Sequence, residues 1–292
     1  MKIVSIGEIL WDVFPEGEFI GGAPFNLAAH AARLGNESYL LSAVGDDGYG
    51  KRALAEMKRL GVRQDLMSIS RRNPTGMVSI SGTSAEEASY TILRPAAYDD
   101  VTANAPLLEK VKQLSPQWLC LGTLFAHSAS GLDTVRQLLD SSPGRRFYDV
   151  NLRDGHYRWD TVETLLHSAN VVKLNQHELG WVGRKSGYQG EPLATLCASL
   201  SQEYAVETIC VTRGGGGCAV YYRGEFLEVE GEKVTVASTV GAGDAFSAMF
   251  LHGIAAGWSI AECARRANCL GAFVASQTGA VPDYDALLFS AT

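Results

Sequence analysis

The residues Ser238-Thr-Val-Gly241-Ala242-Gly243-Asp244-Ala-Phe246 have the types and spacing that could do chemistry. Gly241 and Gly243 frame a turn, and the residues after Asp244 are apolar and helix-forming. The backbone N–H groups of Gly241, Ala242 and Gly243 should therefore converge at a helix N-terminus. Converging donors of this kind form an anion hole, and the missing side chains let phosphate oxygens come close. An aspartate at the same terminus reaches a hydroxyl placed in line with the anion and accepts its proton, which gives Asp244 the role of a general base. Phosphoryl transfer asks for little beyond positioning, charge neutralisation and such a base. On these residues alone a second reading stands beside the first: the motif simply starts a helix, with Asp favourable in the first turn.

The elements that must position this turn alternate along the chain. Residues 1–7 are a short β-branched run closed by glycine, suited to a buried parallel strand. Gly21-Gly22 opens an alanine-rich helix over 25–34 that Gly35 stops, followed by a strand over 37–44 and a helix over 50–60. Apolar strands over 117–121, 146–150, 171–174 and 207–212 come next, with the best helices between them over 131–140, 159–168 and 191–203. Strand–helix alternation predicts a mostly parallel sheet covered on both faces. A hairpin over 217–229 lies near the sheet edge. Two helices over 244–256 and 260–276 close the domain, the second capped by Ser259 and Glu262. Two stretches break the pattern. Residues 11–20 are aromatic and contain Pro15, which suits turn and strand, and 75–81 with 89–94 form an antiparallel hairpin around the polar loop 82–88. The expected organisation is one large α/β domain over 1–9, 22–61 and 98–292, with a small β appendage from 10–21 and 62–97.

Composition narrows the class. Over 292 residues, 46% hydrophobic and 20% charged content is that of a folded globular chain. A net charge of −7 and a pI near 5.4, with no basic run, exclude a nucleic-acid footprint. The six cysteines (Cys120, Cys197, Cys210, Cys218, Cys263 and Cys269) show no C-x-x-C or zinc-finger spacing and read as buried free thiols. No uncharged apolar stretch is long enough to span a membrane, and acidic residues stand too early for a signal peptide, so a cytoplasmic location is expected. A nicotinamide dehydrogenase is excluded because no G-x-G-x-x-G follows the first strand.

Thr239-Val-Gly-Ala-Gly-Asp-Ala-Phe246 resembles the C-terminal signature of the ribokinase-like (PfkB) carbohydrate kinases. A second match lies at Gly21-Gly22-Ala-Pro-Phe-Asn26, followed by the alanine-rich helix and Arg33-Leu-Gly35. The two motifs occur in the family's order, and the resemblance covers nearly the whole chain. It implies an ATP-dependent sugar kinase whose large domain carries the nucleotide and whose small β lid closes over the sugar. It further implies sugar binding by Asp12, Gly21, Gly22 and Asn26, and nucleotide binding by Asn175, Thr212, Gly214, Gly217 and Asn268. Glu178 of the element Asn175-Gln-His-Glu178 would hold the hydration shell of Mg²⁺. Relatives often pair as homodimers through the lid.

Within the family, Gly7-Glu-Ile-Leu-Trp-Asp12, Tyr148-Asp-Val-Asn-Leu-Arg153 with Trp159, and Tyr90 with Arg94-Pro-Ala-Ala97 resemble fructokinases. Arg94 and Arg153 are either contacts to substrate oxygens or ion-paired structural arginines. A kinase for 2-keto-3-deoxygluconate, which uses a similar tyrosine and arginine pair, is the rival assignment. A non-catalytic sugar- or nucleotide-binding protein on the same fold is the rival from another class, and Asp244 argues against it. One departure concerns cations. Most relatives begin the last signature with Asp, where this chain has Ser238, which weakens the expectation of K⁺ activation at a site near Val240 and Gly279. Asp283 stands where it could replace the missing carboxylate.

Overall fold

A computed structural model describes residues 1–14, 17–81 and 89–290. The expected loop 82–88 and the turn at Pro15 lie outside the described residues. The strands are β1 (Lys2–Ile6), β2 (Leu10–Phe14), β3 (Gly17–Gly21), β4 (Glu37–Gly45), β5 (Met67–Ser70), β6 (Gly76–Ser81) and β7 (Ser89–Leu93). They continue as β8 (Trp118–Gly122), β9 (Arg145–Asp149), β10 (Val171–Asn175), β11 (Thr208–Thr212), β12 (Cys218–Tyr222) and β13 (Glu225–Val229). The principal helices are α1 (Ala23–Arg33), α2 (Gly48–Arg59), α3 (Ala105–Leu114), α4 (Thr123–Ala126), α5 (Ala129–Ser141) and α6 (Trp159–Ser168). After them come α7 (Gln176–Lys185), α8 (Leu193–Tyr204), α9 (Ala242–Ala255) and α10 (Ile260–Ala275).

Nine strands form the main sheet in the order β13-β12-β11-β10-β9-β8-β1-β4-β5, and four form a smaller sheet in the order β3-β2-β6-β7. From β5 to β11 all pairings are parallel, and only β12 and β13 run antiparallel at one edge. Period-two alternation explains how one sheet serves two cores. On β8, Leu119 and Leu121 join the cluster under α5, α6 and α8, while Trp118 and Cys120 join the cluster under α1, α9 and α10. The same split divides Tyr148 from Phe147 on β9 and Val172 from Val171 on β10.

The appendage needs one correction. Residues 62–75 were expected within it, yet β5 pairs in parallel with β4, Ser42 opposite Met67, and so belongs to the main sheet. The smaller sheet draws on β2 and β3, which form an antiparallel hairpin, and on β6 and β7, with β2 and β6 parallel in the middle. The run Met67-Ser-Ile-Ser70 alternates, but on this edge strand the apolar Ile69 is 60% exposed while Ser70 is buried, so the pattern does not report its place in the sheet. All six cysteines are free, five of them buried.

Candidate active site

The carboxyl ends of the parallel strands, where open α/β sheets bind ligands, carry the site. Gly241 caps α9 with φ 83°, a left-handed conformation that favours glycine. A Cβ at Gly241 would stand 2.3 Å from the Ala280 carbonyl oxygen, so no side chain fits the turn. Asp244 follows in the first helical turn, 9% exposed. Asn26, in the first turns of α1, donates from Nδ2 to Asp244 Oδ2 at 2.8 Å, which joins the two signature motifs across 218 residues. Burial pushes the Asp244 carboxyl up to about 7, with the Asp149 charge adding to the rise; Asn26, Lys173 and Arg153 act against it. A carboxyl poised there fits a general base.

The residues expected to bind the sugar are tied to this centre through the start of α1, where Gly22 caps the helix and its carbonyl accepts from Asn26 N. Gly21 lies so close to Asp12 that a Cβ would meet Asp12 Oδ2 at 2.6 Å, and at Gly22 (φ 107°) a Cβ would meet the Glu8 carbonyl at 2.5 Å. Burial raises Asp12 to about 6, opposed by the Arg153 charge. Arg153 is exposed, and its charge acts on Glu8, Asp12 and Asp244 alike. Arg94 is ion-paired: its Nε and Nη2 donate to Asp99 and its Nη1 to the Leu124 carbonyl. Asn26 Oδ1 and Glu8 Oε2 are buried without a hydrogen-bond partner, as groups awaiting a ligand or water are.

Of the residues expected to bind the nucleotide, Asn175 ends β10 and caps α7. Its Oδ1 accepts from Glu178 N at 2.9 Å, while Glu178 accepts from the N–H groups of Asn175 and Leu152, both at 2.8 Å. The Glu178 carboxylate thus has each oxygen engaged once by backbone, leaving a lone pair free on each. Thr212 ends β11, and Gly214–Gly216 form a single 3₁₀ turn closed by Gly217 at φ 82°. A Cβ at Gly217 would stand 2.1 Å from the Val229 carbonyl. Asn268, on α10, donates to the carbonyls of Val229 and Glu230 at 3.4 and 3.2 Å, tying the helix to the end of β13.

At the expected cation position, Ser238 Oγ accepts from Val240 N at 3.3 Å. Asp283 is turned to arginines instead: its side chain is 84% exposed and pairs with Arg33 at 2.7 Å and Arg59 at 3.9 Å. The neighbouring loop at Gly279 and Ala280 is held by His30. That buried imidazole donates from Nε2 to the Ala280 carbonyl at 2.9 Å and accepts from the Tyr284 hydroxyl on Nδ1 at 2.8 Å. Burial lowers its pKa to about 4, which keeps it neutral and suited to one donor and one acceptor role.

Sequence reasoning missed Glu8, His30 and above all Lys173. The ammonium of Lys173 lies 3.1 Å from both carboxylate oxygens of Asp149. A charged residue inside the apolar run Val171-Val-Lys-Leu174 was the available signal.

Comparisons with known proteins bear on the fold and the family. The crystal structure of a fructokinase with bound ATP from Xylella fastidiosa superposes with a TM-score of 0.85 at 21% identity, covering 99% of this chain and 97% of that one. The fold is thus ribokinase-like, a mostly parallel sheet flanked by helices with a smaller sheet beside it. A family model described as pfkB family carbohydrate kinase matches residues 13–287. The fructokinase of Salmonella typhimurium is 30% identical over 270 residues, 87% of this chain and 85% of its own. That of Escherichia coli is 30% identical over 268 residues, with 87% and 84% covered. The chain belongs to the pfkB family of carbohydrate kinases. It is a phosphotransferase that acts on a small-molecule sugar.

Proposed function

We propose that the protein transfers the γ-phosphoryl group of ATP to a primary hydroxyl of fructose, with Asp244 as the base. The observation that carries this reading is the 2.8 Å bond between Asn26 and Asp244 at the glycine turn of α9, which joins a sugar-side residue to the base at an anion-binding helix terminus. In the transfer, the sugar O–H proton passes to the Asp244 carboxylate as the sugar oxygen bonds to the γ-phosphorus. The bond from that phosphorus to the bridging oxygen of ADP breaks. The N–H groups of the 241–243 turn receive the phosphoryl oxygens as charge shifts toward the leaving group. Asp12, Asn26 and the Gly21-Gly22 turn orient the sugar, and Arg153 supplies positive charge beside it.

Asn175, Thr212, Gly214 and Gly217 line the nucleotide side in this reading, with Asn268 behind them. Mg²⁺ brought with ATP supplies charge neutralisation of the phosphates. Glu178 suits such an ion through water, and among the described residues no group of three or more His, Cys, Asp or Glu could hold a metal directly. Fructose as the acceptor rests on the fructokinase names of relatives at about 30% identity and on the segment Asp149-Val-Asn-Leu-Arg153.

The test is ATP consumption over a panel of sugars, for the native chain and Asp244→Ala. Fructose should be turned over by the native chain, and Asp244→Ala should lose ~10²–10⁴-fold in rate while still binding ATP. Near-native turnover in the variant would end the mechanism. Turnover of 2-keto-3-deoxygluconate with none of fructose would transfer the substrate assignment.

A further inference from the structure

Beneath the anion turn lies a buried charge pair to which the mechanism above gives no task. Asp149 and Lys173 are register partners on the adjacent parallel strands β9 and β10. Alternation puts them on the same face as Phe147 and Val171, toward α9, at the strand ends where the site lies. Lys173 Nζ donates to both Asp149 oxygens at 3.1 Å, and Ser247 Oγ, one turn into α9, approaches Asp149 Oδ2 at 3.4 Å. A Cβ on Gly243 would stand 2.9 Å from that Nζ, so the ammonium lies directly against the glycine turn. Lys173 is 7% exposed and Asp149 6%. Two apolar side chains would fill this space at lower desolvation cost, so packing alone does not account for the pair.

We infer that Asp149 and Lys173 are positioning residues for the transfer: Lys173, held under Gly243 by Asp149, puts positive charge behind the anion turn and beside the base that follows it. This inference rests on the reading of Asp244 as the base. The groups acting on Asp244 come from every side: Asn26 from α1, Asp149 from β9, Arg153 from the loop after it, and Lys173 from β10. Glu178, from α7, acts on Lys173, whose charge is favoured by Asp149, Glu178 and Asp244 against the opposing effect of burial. One ammonium is thus shared by three carboxylates. Of the pair, Lys173 favours the charged base and Asp149 disfavours it. Their removal should therefore act on Asp244 in opposite directions, and through Asp244 on the rate if the pair serves the transfer.

The experiment compares Lys173→Met and Asp149→Asn with the native chain by two readouts. One is the midpoint of the acid limb of kcat/KM, and the other the titration of the Asp244 carboxyl by carbon NMR. Lys173→Met should raise both midpoints by roughly 1 pH unit or more, and Asp149→Asn should lower both. Midpoints that stay fixed, or move the same way in both variants, would overturn the inference. An NMR midpoint that moves as expected while the rate profile stays still would support the pair and remove Asp244 as base, so the two failures are distinguishable. Asp149→Asn relieves the excess of negative charge and keeps the test open should Lys173→Met not fold. An unmoved Asp244 midpoint in Asp149→Asn alone is enough to overturn it.

Discussion

Asp244 holds a proton in the folded chain at pH values where an unfolded aspartate has released it. Its folded pKa of about 7 stands above the ordinary 3.8, so the stability it contributes is present below about pH 4 and lost as pH rises through about 7. The charged base is therefore kept at a cost to the fold. Asp244→Asn retains an oxygen for the Asn26 amide while removing that charge. The variant should be inactive and yet melt higher than the native chain at pH 8, by roughly 2–4 °C for each 1 kcal/mol gained. Calorimetry at pH 8 and pH 5 checks this, and the gain should shrink at the lower pH. A second residue-scale prediction concerns Ser238 and Asp283. With a hydroxyl at 238 and the Asp283 carboxylate engaged by Arg33 and Arg59, turnover should depend little on K⁺. Asp283→Ser should leave that indifference unchanged. Rates in K⁺ and in a large organic cation test both, and strong K⁺ stimulation in the native chain would defeat the expectation.

At the scale of elements, the turn that begins α9 is fixed from two sides by different kinds of atom. Against Gly241 lies the Ala280 backbone, which cannot swing away, and against Gly243 lies the end of a lysine side chain, which can. Gly241→Ala, with its φ of 83°, should therefore destabilise the fold by about 1–3 kcal/mol. Gly243→Ala should cost less stability and act chiefly on kcat by displacing the Lys173 ammonium. Denaturant melts beside steady-state kinetics separate the two effects. The same contrast shows what was legible beforehand. Strand–helix alternation and the glycine turns read directly from the sequence because each follows from local periodicity or φ preference. The membership of β5 in the main sheet did not, because a four-residue run does not say which sheet it joins, and its apolar Ile69 is exposed while Ser70 is buried. Nor did Lys173 stand out, since only the register of β10 against β9 reveals that its charge meets Asp149. The Arg94 pairing with Asp99 was likewise left open, because five residues of chain do not say which way a guanidinium turns.

For the whole molecule, the smaller sheet presents Phe19, 41% exposed, on the face of Asp12 and Val78, and Leu93, 45% exposed, on the other. Exposed apolar side chains on a small sheet are commonly covered by association. We expect a homodimer through this sheet, and sedimentation at micromolar concentration with and without sugar measures it; a monomer under both conditions would defeat the claim. The link from His30 to Ala280 has a bearing on the order in which the molecule comes into being. It spans 250 residues, and Asn26 to Asp244 spans 218. During synthesis the N-terminal part emerges first, at about 5–20 residues per second. Asn26 and His30 thus leave the ribosome many seconds before the partners that complete their wall of the cleft. A nascent chain halted between Val229 and Asp244 has the strands of both sheets and no kinase, so catalytic competence comes only after the sheets can form.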